Sequence, residues 1–222
     1  MNKHINTNNL FTLDETLAKP LLEKLIYPWE ALNKINKFII EIGKMLSKND
    51  YKEYEGNIWI AKNANISKTS SIAGPTIICK DAEIRHCAFI RGNTIVGERC
   101  VVGNSTELKN VILFNNVQVP HYNYVGDSIL GYKSHMGAGS ITSNVKSNKS
   151  LISLNYNGKK IETGLKKFGA ILGDYVEVGC NSVLNPGTII GKNSSIYPLS
   201  MVRGYVNENS IYKSKNNIIK KY

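Results

Sequence analysis

The 222-residue sequence contains no stretch of eighteen apolar residues, so it holds no candidate membrane-spanning helix. Its opening, MNKHINTNNLFTLDE, lacks the apolar run of a secretion signal, and the expectation is a cytoplasmic protein without a membrane partner. Cysteine is scarce. Cys79, Cys87, Cys100 and Cys180 form no CxxC pair, which argues against a disulfide framework or a zinc site and predicts small buried or half-buried residues. Acidic residues are also few, 17 against 28 Lys and Arg, and the net charge of +11 favours anionic partners: phosphates, nucleotides, nucleic acid or acidic lipid. What is present is a hydrophobic content of 42%, enough for a substantial core and contrary to disorder.

The pattern divides the chain. Residues 1–50 form an N-terminal helical segment. Thr12 and Glu15 are spaced as a capping box, and LDETLAKPLLEKL supplies a short helix that Pro20 interrupts or restarts. A second helix is predicted from Pro28, with Ala31, Leu32, Ile35, Phe38, Ile39, Ile42, Met45 and Leu46 on one face at intervals of three and four. That stripe must be covered, by the coils that follow or by a neighbouring subunit.

After a polar linker the period becomes six. Ile60, Ile66, Ile72, Ile78, Ile84, Ile90, Val96, Val102 and Leu108 follow without a slip. Four residues beyond the first eight stand Ala64, Ser70, Thr76, Ala82, Ala88, Thr94, Cys100 and Thr106, all small. The aliphatic series predicts inward residues stacking about 4.8 Å apart in successive coils, and the small series lets a narrow triangular interior close. The register shifts after Leu108, resumes at Leu113, Val119 and Val125, and shifts again at Leu130, Met136 and Thr142. It returns at Leu172, Val178, Leu184, Ile190, Ile196 and Val202. The fold class is therefore an all-β solenoid, a parallel β-helix of hexapeptide repeats over residues 51–209, followed by a basic tail at 210–222. One insertion, 145–169, reads as a hairpin turning at Asn157-Gly158, either an arm over a substrate or neighbour or a mobile surface insertion.

The segment VPHYNYVGDSILGYKSHMGAGSITSN resembles the acetyltransferase domain of the bacterial bifunctional enzyme that acetylates glucosamine 1-phosphate and uridylylates the product. It is similar also to the β-helical ends of sugar-phosphate nucleotidyltransferases. The likeness covers residues 58 to about 212 and is most specific from Gly97 to Asn144. It implies a left-handed β-helix, a homotrimer with sites at subunit junctions, and acetyl-CoA as acyl donor with no essential metal. Residue by residue, the family's catalytic histidine falls on His121. Its acceptor-binding residues fall on Arg91, Lys109, Tyr124, His135, Asn144 and Lys167. Its CoA contacts fall on Ala138, Cys180, Pro198 and Lys215, with Gly137 and Gly139 allowing close approach of pantetheine. Imidazole titrates near neutrality and can deprotonate an attacking amine, while Arg and Lys suit a phosphate.

There are departures: His135 stands for an asparagine, Cys180 for serine, and Pro198, which has no N–H, for an alanine. No glycine-rich nucleotidyltransferase opening is seen. The function the resemblance implies is acetyl-CoA-dependent N-acetylation of an amino sugar phosphate, by direct transfer with a histidine base. Two alternatives stand beside it: a non-catalytic trimeric assembly or regulatory module for a separate nucleotidyltransferase, and an O-acyltransferase on a sugar or nucleotide sugar. Nucleic-acid binding is not expected, since no recognition module accompanies the basic tail.

Overall fold

The computed structural model describes residues 3–221. Met1 and Asn2 of the expected helical segment, and Tyr222 of the basic tail, lie outside the described residues.

The hexads form a parallel β-helix with three faces. Strands Ile58–Ala61, Thr76–Ile78 and Thr94–Val96 begin the first face; Asn65–Ile66, Glu83–Ile84 and Val101–Asn104 the second; Ser71–Ile72 and Phe89–Ile90 the third. Ile60 pairs with Ile78 and Ile78 with Val96, three hexads apart each time, which is one coil. The inward residues Ile78, Ile84, Ile90, Val96, Val102 and Leu108 are buried. Threonines at the small inward positions hand their hydroxyls to carbonyls: Thr76 to Ala73 at 2.7 Å, Thr94 to Gly92 at 3.0 Å and Thr106 to Val119 at 2.9 Å. This is why a polar side chain is tolerated there.

The two register shifts are tight corners between the third and first faces. Strands Glu107–Leu113 and Tyr124–Leu130 run through them unbroken, bending at Asn110 (φ 56°) and Asp127 (φ 48°). Asn and Asp enter the left-handed region at low cost, so they suit a corner one residue short. Val96 then pairs with Leu113 and Leu113 with Leu130. The insertion leaves from the same corner, yet Leu130 pairs directly with Leu172. Its strands Ser153–Tyr156 and Lys159–Glu162 join through Asn157 (φ 48°) and Gly158 (φ 73°), the two positive angles of a primed turn. The arm lies against its own solenoid. Ile152, Leu154 and Tyr156 are buried, and the Tyr156 ring meets Tyr205 edge-on at 5.1 Å.

The N-terminal segment departs from the helices predicted for it. It is a series of single turns, Thr7–Leu10, Leu13–Glu15, Lys19–Leu22 and Pro28–Ala31, before one nine-residue helix, Ile35–Gly43. No capping box forms at Thr12. Glu15 instead accepts from the Asn115 side chain at 3.2 Å, and the Thr12 N–H donates to Asp174 at 2.7 Å. Tertiary partners on the solenoid have displaced the local cap. Pro28 does open a turn, but a 3₁₀ turn. That geometry aligns Trp29 with Leu32, three apart, and both are buried.

The stripe is covered by the chain's own first face. Between its inward residues that face points Trp59, Ile77, Ile95, Ile112 and Ile129 outward, and all are buried beneath the helical segment. Met45, at the end of the stripe, remains 82% exposed. Asp174 fastens the segment in place. Fully buried, it accepts from Thr12 N–H (2.7 Å) and Tyr132 N–H (2.9 Å), and it pairs with Lys192 at 3.1 Å.

The C-terminal segment read as a tail is a hairpin, Ser210–Ser214 with Asn217–Lys220, which extends the second face. Cys79 and Cys100 are buried as expected, and burial pushes the Cys79 thiol up to about 12. Cys87 and Cys180 differ from the reading: both sit at corners and are exposed. Among the described residues no helix is long and apolar enough to cross a membrane.

Candidate functional site

His121 ends the strand Gln118–His121 at the corner between the second and third faces, with its imidazole exposed. Ala138, Cys180 and Pro198 occupy the same corner in the three coils that follow. Backbone bonds join them in a column: Gly139 N–H to His121 C=O at 3.0 Å, Asn181 N–H to Ala138 C=O at 2.8 Å, and Leu199 N–H to Cys180 C=O at 2.9 Å. Asn123 supports the corner from inside. Its carboxamide oxygen accepts from His121 N–H at 3.1 Å, and its nitrogen donates to the Gly137 carbonyl at 2.8 Å and the Ser140 carbonyl at 3.1 Å. A buried amide with both ends satisfied holds the histidine loop in one conformation.

Gly137 and Gly139 serve this stacking. A Cβ on Gly137 would lie 2.7 Å from the backbone nitrogen of Cys180, and one on Gly139 would lie 2.2 Å from the Asn181 side chain. Their small size therefore permits the close approach of the next coil.

The third face runs from His121 to the tight corner, where the basic and polar candidates gather. Arg91 pairs with Glu107 at 2.7 Å. Lys109 lies 3.7 Å from the nearly buried Asp127, whose carboxylate also accepts from Asn110 (2.9 Å) and Asn144 (2.5 Å). Asn144 reaches the Tyr124 hydroxyl at 3.2 Å. Burial first, then the charges of Asp127 and Glu107, hold the Tyr124 phenol above its ordinary value, so near neutrality it is a proton donor. A crevice of about 240 Å³ opens beside Asp127 and is lined by Asn33, Gly164, Leu165, Lys166 and Lys167.

Two predicted residues stand apart from these groups. His135 points from the second face, where its Nδ1 lies 2.9 Å from Glu177, lining a crevice with Asn116, Gln118 and Lys133. Lys215 is in the turn of the C-terminal hairpin. Asn123 and Asp127 went unread in the sequence although both lie in the HYNYVGD run. Their signal is a polar side chain where the repeat calls for a small residue or a turn. Among the described residues no group of three His, Cys, Asp or Glu side chains could hold a metal ion.

Residues 72–196 match the family described as the GMPPB C-terminal domain. The bifunctional protein GlmU of Methanococcus vannielii is 37% identical over 197 residues, 87% of this chain and 47% of the relative. A bifunctional sugar-1-phosphate nucleotidylyltransferase/acetyltransferase of Sulfurisphaera tokodaii is 31% identical over 191 residues, again 47% of the relative. The chain thus spans about half the length of the curated relatives it matches. Among solved structures, a hexapeptide transferase family protein from Anaplasma phagocytophilum is similar with a TM-score of 0.43 and 16% identity, covering 79% of this chain and 86% of that one.

Proposed function

The chain belongs to the GMPPB C-terminal domain family and is a left-handed β-helix hexapeptide-repeat acyltransferase related to GlmU-type acetyltransferase domains, and from that premise we propose acetyl-CoA-dependent N-acetylation of an amino sugar phosphate. The observation that carries the reading is the corner column of His121, Ala138, Cys180 and Pro198, a straight edge leading away from an exposed imidazole. Pantetheine lies along that edge, with Lys215 near the cofactor phosphates. The sugar occupies the third face, with its phosphate toward Arg91, Lys109 and Lys167 and its ring against Tyr124 and Asn144. His121 takes a proton from the amine as nitrogen attacks the thioester carbonyl. A backbone N–H of the column stabilises the oxyanion, the C–S bond breaks, and His121 returns its proton to the departing sulfur so that CoA leaves as the thiol. Cys180 borders the channel and forms no acyl-enzyme.

Assembly as a homotrimer fits the uncovered faces. The first face is buried within the chain, whereas the third and its corner expose Phe89 (42%), Met201 (65%) and Leu199 (79%). Packing against other copies would cover these and bring the second-face His135 of one subunit near the third face of another.

The test is release of CoA from acetyl-CoA with a panel of hexosamine phosphates. Wild-type turnover is expected, with a loss of about 10²–10⁴-fold in His121→Ala and an unchanged trimer and circular dichroism. Undiminished turnover in that variant refutes the base assignment. No release with any amino sugar phosphate refutes the acceptor class.

A further inference from the structure

The best-connected polar side chain of the acceptor corner is one that the resemblance assigns no role. Asp127 is 4% exposed at the bend of Tyr124–Leu130. One carboxylate oxygen accepts from Asn110 Nδ2 at 2.9 Å. The other accepts from Asn144 Nδ2 at 2.5 Å and lies 3.7 Å from Lys109 Nζ. An ionised carboxylate can only accept, so both neighbouring amides must turn their NH₂ groups toward it. Asn110 is doubly constrained, since the same nitrogen donates to the Leu32 carbonyl of the helical segment at 3.2 Å. Asn144 places its NH₂ between Asp127 and the Tyr124 hydroxyl. Its carbonyl oxygen is thereby turned away as an acceptor, and the Lys109 ammonium is held beside the Asp127 carboxylate.

We infer that Asp127 is a positioning residue of the acceptor site, fixing the Asn144 carbonyl to receive a hydroxyl or amine of the sugar and Lys109 to receive its phosphate. This rests on the acceptor reading proposed above. The crevice that opens on Asp127 is bordered by Asn33 of the helical segment and by Lys166 and Lys167 of the arm. Both appendages of the solenoid therefore meet at this carboxylate, which gives them a shared part in shaping the pocket.

Asp127→Asn separates positioning from mere support, because Asn adopts the positive φ of this corner as readily as Asp. It can also present an NH₂ to its neighbours, so the orientation of Asn144 is no longer dictated. Calorimetric titration of the intact protein with glucosamine 1-phosphate and separately with CoA reads the effect. The expected result is a weakening of the sugar phosphate by about 10- to 100-fold, the factor for losing hydrogen bonds to a charged group, with CoA affinity and melting temperature retained. In turnover the change appears in KM for the acceptor and leaves KM for acetyl-CoA unchanged.

Equal weakening of both ligands, or sugar-phosphate affinity as in the wild type, overturns the inference while the function stands. A wild type that binds CoA but no hexosamine phosphate overturns the acceptor reading and the inference together. Should Asp127→Asn fail to fold, Asn144→Ala, at a half-buried position, keeps the inference falsifiable: the same selective weakening of the sugar phosphate is expected, and affinity as in the wild type overturns it.

Discussion

Removing the Asp174 carboxylate should release the N-terminal segment from the solenoid. In Asp174→Ala the Thr12 and Tyr132 amides lose their acceptor and Lys192 loses its only buried counter-charge among the described residues. Breaking one side of a buried ion pair costs about 3–5 kcal/mol, and each unmet amide adds about 1–3 kcal/mol where water cannot reach it. Water entering the vacated space offsets part of this, so about 3–5 kcal/mol is expected, or roughly 2 M in urea midpoint at an m-value near 2 kcal/mol/M. Asp174→Asn should be nearly as damaging, because its amide keeps one acceptor oxygen and turns an NH₂ toward a second donor.

The assay is fluorescence of Trp29, buried at the contact between segment and coils, in a Trp59→Phe background, recorded beside far-ultraviolet circular dichroism. Coils of a solenoid contact only their neighbours, so the segment can detach first. The Trp29 transition should then move to lower urea and separate from the β-sheet transition. A midpoint within about 0.3 M of wild type, with the two signals coincident, would refute the claim that Asp174 fastens the segment.

Gly103→Ala should destabilise the stack directly beneath His121, since its Cβ would fall 1.5 Å from the Pro120 carbonyl oxygen. Overpacking against backbone predicts about 3 kcal/mol or more, read as a fall in melting temperature and, with it, of the proposed acyl transfer. Met201→Asp places a charge on the exposed third face. It should shift the mass measured by light scattering from that of the proposed trimer to that of a monomer while the isolated coils retain their circular dichroism. A trimer of unchanged stability would remove the third face from the proposed contact.

The solenoid was legible because its period is exacting: an inward position admits only an aliphatic or small side chain, and both five-residue steps are visible as slips after Leu108 and Val125. The arm was legible for a similar local reason, since Asn157-Gly158 supplies the two positive φ angles of its turn. The helical segment was less so. Its single turns are settled by what they touch, as when Glu15 abandons a cap for Asn115. The outward stripe from Trp59 to Ile129 could have been found as an apolar residue between inward positions once per coil, and would have shown which face is covered. Of the site, the resemblance grouped Ala138, Cys180 and Pro198, but spacing alone puts Ala138 in line with the other two only once the 25-residue interruption at 145–169 is looped out.

That looping out has a consequence for how such a protein can change. Leu130 meets Leu172 as though nothing stood between them, so the excursion starts and ends at a single point of the scaffold. Lengthening, shortening or exchanging it leaves every other rung where it was. The surface beside the tight corner can therefore be reshaped like a fitting on a mast, with the cost of each alteration confined to the joint from which it springs.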